Sequence, residues 1–212
     1  MINSIFDWLS FRLPYTGRKQ YEKFIRNNLR NVKTVLDVGC GPGVFKVYRD
    51  YNTTGIDIYE DDLKKAKENG NYKTLIREDV TKLSFPDKSF DAVTCIELIE
   101  HLKKEEGFEL LDKLEHIARK VVIVTTPWGD DLALKGKTNP YLEHQSGWLP
   151  EEFVKRGYKI YPFYRPRWRF RSSPFSTIML YIFGIIGKPL VILFPEKLSN
   201  DFAAVKIIAE NN

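Results

Sequence analysis

Cysteine and histidine are scarce in this chain. Its 212 residues include two cysteines, Cys40 and Cys95, with no CxxC pair. That is too few for a disulfide framework. Both lie in runs that read as buried strand ends, so reduced thiols and an intracellular protein are expected. The three histidines, His101, His116 and His144, have no paired cysteines to join them, and no metal site is expected. Residues 1–13 carry Asp7 and lack an unbroken apolar core followed by a small-residue cleavage site, so no secretory leader is expected. Internal repeats and low-complexity tracts are also missing. An uncharged run covers 172–187, but Lys188-Pro189 interrupts it. It falls short of the roughly 20 apolar residues that a simple membrane span requires.

The composition itself is ordinary, with 43% hydrophobic and 29% charged residues, enough for one α/β domain with a full core and an appendage. The net charge of +5 is unevenly spread. Residues 1–33 hold seven basic side chains against Asp7 and Glu22, and residues 155–175 hold seven basic side chains and no acid. Both flanks are therefore expected to face anionic material, a membrane surface or nucleic acid.

Apolar spacing predicts short helices over 2–9 and 18–29. From residue 34 the pattern becomes strand–helix alternation. Strands are predicted over 34–38, 53–58, 72–76, 90–96, 121–125, 158–164 and 203–209, and helices over 60–68, 103–117 and 150–156. Such alternation implies right-handed parallel βαβ units.

The most informative stretch is Val35-Leu36-Asp37-Val38-Gly39-Cys40-Gly41-Pro42-Gly43. A strand ends, glycines follow at alternate positions, and a helix is expected to begin. Glycines allow a tight turn and close approach of a ligand. The spacing is GxGxG rather than the GxGxxG of dinucleotide folds. Asp37, two residues before the first glycine, would repel a pyrophosphate and attract a cationic ammonium. Asp57 ends the second strand about 20 residues on, where an acid can accept from ribose hydroxyls. Asp79-Val80 follows the third strand, where the carboxylate can accept from an adenine amino group and the valine can line the ring.

These motifs resemble those of the class I S-adenosylmethionine-dependent methyltransferases, in the broad group with a ubiquinone-biosynthesis-like core. VLDVGCGPG is similar to the first motif of the family, GIDIY carries the ribose acid, and Glu78-Asp79-Val80 is similar to the adenine-side motif. SFPDKSFDAVTCIELIEHL resembles the fourth strand and the turn after it. The likeness spans roughly 30–164 and the last strand. Trp128, where relatives often have asparagine, departs from it, as does the lack of a glycine-rich turn before Val121.

The resemblance implies a Rossmann-like α/β three-layer sandwich. Its seven-stranded sheet is mostly parallel, with an antiparallel last strand and a hydrophobic helical insertion before that strand. The expected layout is an N-terminal helical segment at 1–33, a core at 30–164, an insertion at 165–200 and a closing strand within 201–212. The implied cofactor is S-adenosyl-L-methionine. Its shell is expected to hold Asp37, Gly39, Gly41 and Gly43 in the first loop, with Cys40 beside them. Asp57 and Ile58, Asp79 and Val80, and Ile96 and Glu97 complete it.

Glu100-His101 reads first as a helix start, where a carboxylate gains from the dipole. The loop over 128–150 is expected to overhang the carboxyl edge of the sheet and shape an acceptor pocket. His144 in that loop is the candidate acid–base residue, since a histidine titrates near neutrality. His101, Tyr141 and Trp148 are candidates to line the pocket. Methyl transfer is an in-line displacement on an activated sulfonium, so alignment can supply most of the rate.

Arginines alternate with aromatics at Arg165, Arg167, Trp168, Arg169, Phe170 and Arg171, just before the apolar run. This order suits a headgroup boundary, and residues 165–194 are the expected membrane-surface element, through an interfacial helical hairpin. The expected acceptor is a small or lipid-linked molecule, and the expected location is the cytoplasm, at the inner face of the membrane. A nucleic-acid acceptor ranks lower, because the adjoining segment is too apolar for a solvated groove. A homodimer through the same patch stays open, as does a non-catalytic binding or scaffold role on the same fold.

Overall fold

The computed structural model of the protein describes residues 18–129, 139–163 and 201–209. The helix expected over 2–9 and the basic–aromatic and apolar insertion of 165–200 lie outside the described residues.

A seven-stranded sheet forms the centre. Strands β1 (Thr34–Val38), β2 (Asn52–Asp57), β3 (Thr74–Arg77), β4 (Phe90–Ile96), β5 (Ala118–Pro127), β6 (Lys159–Phe163) and β7 (Asp201–Ile207) take the order β3-β2-β1-β4-β5-β7-β6. The pairs β3–β2, β2–β1, β1–β4 and β4–β5 are parallel. β7 runs antiparallel to both β5 and β6, as expected of the last strand. The α-helices are α1 (Arg18–Asn28), α2 (Glu60–Asn69), α3 (Lys104–Ile117) and α4 (Pro150–Val154).

Because side chains alternate along a strand, the sheet feeds two cores. Leu36, Val38, Val93, Cys95, Val122 and Val124 pack with Leu110, Leu111, Leu114 and Ile117 of α3. On the opposite face Val35, Ala92, Ile96, Val121 and Ile123 pack with Tyr21, Ile25 and Leu29. The central strands are apolar on both faces, as strands covered from both sides must be. Each fully buried leucine of α3 contributes about 1.5–3 kcal/mol relative to an exposed one.

One expected helix is absent. After the glycine loop only a 3-10 turn forms, Lys46–Asp50. Val47 and Tyr48 are both fully buried there, and adjacent inward side chains do not suit a helix with one apolar face. The third strand is also shifted from its expected start. Tyr72 is not part of β3; it turns inward, against Gly43 and Gly55. Cys40 and Cys95 are free and buried.

The chain runs outward from β1 to β3 and then returns to β4 beside β1. Open α/β sheets bind ligands at such a reversal, beyond the carboxyl ends of the strands. Here the loops after β1 and β4 flank that crevice.

Candidate active site

Gly39, Gly41 and Gly43 all have left-handed backbone, with φ of 74°, 51° and 65°. Their surroundings differ. A methyl group on Gly39 would strike Leu98, and one on Gly43 would strike Tyr72 and Ala66. One on Gly41 would meet nothing within 4 Å. The first and third glycines therefore serve packing, and the middle one leaves a cradle over the crevice.

The loop's backbone donors are already committed. The N–H groups of Gly39 and Cys40 donate to the Ile56 carbonyl at 2.8 and 2.9 Å, and that of Gly43 donates to the Cys40 carbonyl at 3.0 Å. The Gly41 N–H donates to Asp57 Oδ2 at 2.8 Å, and Pro42 has no N–H. A phosphate-binding loop needs such donors aimed at its ligand. This loop turns them inward and sets two aspartates around itself.

Asp37 differs from the expected picture of a carboxylate meeting an amine directly. It is buried, its Oδ1 accepts from Thr94 Oγ1 at 2.7 Å and Tyr48 Oη at 3.0 Å, and its Oδ2 accepts from Tyr72 Oη at 2.7 Å. Burial pushes its carboxyl up to about 6, against the opposing pull of those hydroxyls.

Asp57 sits half-buried at the end of β2, where its Oδ1 accepts the Tyr59 N–H at 2.8 Å. Burial raises its carboxyl above the ordinary range. Ile58 is half-buried beside it. Asp79 caps the short turn Val80–Lys82 through Thr81 N at 3.0 Å and Thr81 Oγ1 at 2.7 Å. The Thr81 hydroxyl bond leads in lowering its pKa, and the neighbouring Val80 is buried.

At the end of β4, Ile96 is buried and Glu97 adopts φ 53°. Left-handed backbone at a non-glycine residue is held only by well-determined surroundings. Here Thr125 Oγ1 and Tyr21 Oη both donate to Glu97 Oε1, at 2.9 and 3.0 Å. Helix α1 therefore reaches the crevice through Tyr21, which also approaches Asp201 at 3.4 Å.

The segment after residue 138 does overhang this edge. Asn139 Nδ2 donates to Asp62 of α2 at 3.3 Å, while Gln145 and Ser146 N–H groups donate to the Glu100 carbonyl at 2.7 and 3.1 Å. Tyr141 is half exposed, its ring 6.4 Å from that of Tyr59. His144 is buried, edge-on to His101 with ring centroids 4.9 Å apart. Trp148 is a correction. It is fully buried in the core against Phe108 and Phe153, with Lys104 Nζ 3.7 Å from the ring centroid. It anchors the overhang and does not line a pocket, because its indole fills the space over Gly107. Glu100 opens no α-helix either. It lies in a 3-10 turn, Ile99–His101, and is buried.

Residues 36–122 match the family model described as a methyltransferase domain. Over that stretch the chain is similar to this family. The chain is 31% identical over 116 residues to a ubiquinone biosynthesis O-methyltransferase of Rickettsia conorii, covering 51% of this chain and 38% of that protein. The chain thus spans about two fifths of the length of such curated relatives. A solved SAM-dependent methyltransferase from Archaeoglobus fulgidus shares its fold, with a TM-score of 0.61 at 21% identity over 94% of this chain and 99% of the other. A cyclase does so as well, with a TM-score of 0.58 at 14% identity over 88% and 79%. A shared fold does not by itself fix the chemistry.

Sequence reasoning did not reach Tyr21, Tyr48, Tyr72, Thr94 or Asp201. They come from five separate segments, and nothing in local spacing announces their convergence.

Proposed function

We propose that this protein binds S-adenosyl-L-methionine over the Gly39–Gly43 loop and transfers its methyl group to a hydroxyl of a small or lipid-linked acceptor. One observation carries the reading: a glycine loop whose N–H groups are spent internally and whose flanks are Asp37 and Asp57. That arrangement disfavours phosphate and favours a cationic, phosphate-free nucleoside. Asp57 would hold the ribose, Val80 and Asp79 the adenine, and the field of Asp37 the ammonium. The bound donor brings an activated methyl sulfonium. The chain's part is to align the acceptor in line with it and exclude water from the crevice. His101, Tyr141 and His144 lie on the acceptor side. The names of the curated relatives support an oxygen acceptor.

Titration calorimetry with S-adenosylhomocysteine tests the donor site. Asp57→Ala should weaken binding about a hundredfold, because it removes charged acceptors for two hydroxyls. Equal affinity of the wild type and the variant would refute the assignment. Transfer of a labelled methyl group into fractionated extract then identifies the acceptor class. Label in lipid or small molecules supports the reading, label in nucleic acid replaces the acceptor, and binding without transfer points to a non-catalytic role on this fold. The basic–aromatic sequence of 165–171 supports peripheral attachment to a membrane. Flotation with anionic vesicles, lost at high salt, is the expected result.

A further inference from the structure

In dinucleotide folds a glycine loop leads straight into a helix, whose packing against the strand fixes the turn. Here that helix is missing, and only the 3-10 turn Lys46–Asp50 follows the loop. The end of α2 and the link to β3 take its place. Asn69 Nδ2 donates to the Pro42 carbonyl at 2.8 Å, and Asn71 Nδ2 donates to the Gly43 carbonyl at 2.6 Å. One residue on, Tyr72 Oη donates to Asp37 Oδ2 at 2.7 Å. Three neighbouring side chains thus hold the far end of the loop and the carboxylate that precedes it.

The local structure suits this reach. Gly70 ends α2 with left-handed backbone, φ 62°, which glycine adopts without strain. Arg49, from the 3-10 turn, donates to Asn71 Oδ1 through its Nε and to the Asn69 carbonyl at 2.8 Å through its Nη2. With Oδ1 accepting from Arg49, the amide nitrogen of Asn71 is the atom that faces Gly43. Asn71 is buried, at 4% exposure, so bulk water does not replace a hydrogen bond lost there. The Tyr72 ring fills the space beside the loop. A methyl group on Gly43 or on Gly55 would lie 2.8 Å from it. Tyr48 from the turn and Thr94 from β4 supply the other two hydroxyls on Asp37.

We propose that Asn71 and Tyr72, with Asn69 at the rim, are positioning residues for the methyl donor. They hold the Gly39–Gly43 loop and the Asp37 carboxylate in the shape that receives the amino-acid end of S-adenosylmethionine. They act through the loop and through Asp37 rather than by touching the ligand. This role rests on the donor reading above and adds to it the residues that preorganise the site. A loop that samples several shapes must be ordered on binding, and a loop already held is not, so the ties appear as affinity. The ribose and adenine end of the donor depends on Asp57, Asp79 and Val80 instead.

Titration calorimetry with two probes tests the role. One is S-adenosylhomocysteine, and the other is 5′-methylthioadenosine, which lacks the amino-acid tail. Tyr72→Phe keeps the ring against Gly43 and Gly55 and removes the hydroxyl alone. Asn71→Ala removes the tie to Gly43. Each should weaken S-adenosylhomocysteine about tenfold, the loss of one hydrogen bond, and leave methylthioadenosine within about twofold. Tyr72→Phe should also move the pH profile. The ionisable groups around Asp37 are Asp57, Cys40, Cys95, Tyr48 and Tyr72. The Tyr72 hydroxyl favours the charged carboxylate. Without it the carboxyl takes up its proton sooner on acidification, and S-adenosylhomocysteine binding should fail at a higher pH than in the wild type.

If Asn71→Ala does not fold, Asn69→Ala at its exposed position carries the loop arm of the test, with a smaller loss of S-adenosylhomocysteine expected. Variants that bind S-adenosylhomocysteine as the wild type does would overturn the proposal and leave the donor site standing. A parallel loss of both probes would overturn it too, since a merely structural role weakens the whole crevice. A wild type that binds no S-adenosylhomocysteine would remove the donor reading and the positioning role with it.

Discussion

Asp37 is a buried anion kept for something other than stability. Its carboxyl titrates at about 6 in the folded chain against an ordinary 3.8, with burial as the leading cause. The unfolded chain therefore loses this proton first as pH rises. The group's contribution to stability is complete below pH 3.8 and declines through the window up to about 6. Above that window, burying the charged form costs about 3 kcal/mol. Asp37→Asn keeps hydrogen-bonding partners for Tyr48, Tyr72 and Thr94 and abolishes the charge. In urea melts the variant should gain on the wild type between pH 4 and pH 8, by as much as about 3 kcal/mol. Its affinity for S-adenosylmethionine should fall over the same range. A stability difference that does not change with pH would mean the carboxyl is neutral throughout, and the electrostatic account of the loop would fail with it. Gly41 makes a second contrast at this scale. Alanine there adopts left-handed backbone at about 1–2 kcal/mol but meets no neighbour. Gly41→Ala should therefore fold with a modest loss, yet block the donor, as calorimetry would reveal.

Among the elements, helix α3 and the 139–149 overhang are tied through Trp148. A methyl group on Gly107 of α3 would run into the indole, whose Nε1 donates to Ser146 at 3.0 Å. Gly107→Ala should cost about 1–3 kcal/mol by overpacking, and thermal melts would register it. Gly157→Ala, where the nearest atom is a lysine methylene at 4.0 Å, is the control for backbone strain alone. The same helix shows how far sequence reading extends. The spacing of Phe108, Leu111, Leu114 and Ile117 is enough to place it, because one apolar face is a local property. The β-branched runs of β1, β4 and β5 are legible for the same reason, as is the need for glycine at 39, 41 and 43. Trp148 is not legible, since an aromatic in a polar loop looks like a pocket wall until the space above Gly107 is known. The turn at Lys46–Asp50 defeats periodicity because Tyr48 has to drop beneath the sheet edge to reach Asp37. Glu100-His101 looked like a helix start, because its partner His144 lies more than forty residues away.

At the scale of the whole molecule, a donor over the loop would touch the ends of β1, β2 and β4 together with the overhang. A ligand that binds only the folded state stabilises it by mass action, about 2.7 kcal/mol at a hundredfold excess over its dissociation constant. For a chain of this size that corresponds to a rise in melting temperature of roughly 5–11 °C. S-adenosylhomocysteine should produce such a rise, graded with concentration, and Asp57→Ala should abolish it. Nicotinamide dinucleotides should produce none, because the loop has no amide left to offer a pyrophosphate and two aspartates would face it. A comparable rise with a dinucleotide and none with S-adenosylhomocysteine would place phosphate on the loop after all, and the committed N–H groups of Gly39, Cys40, Gly41 and Gly43 would have to be released to allow it. The melting experiment therefore reads the inward hydrogen bonds of four residues through the stability of the entire fold.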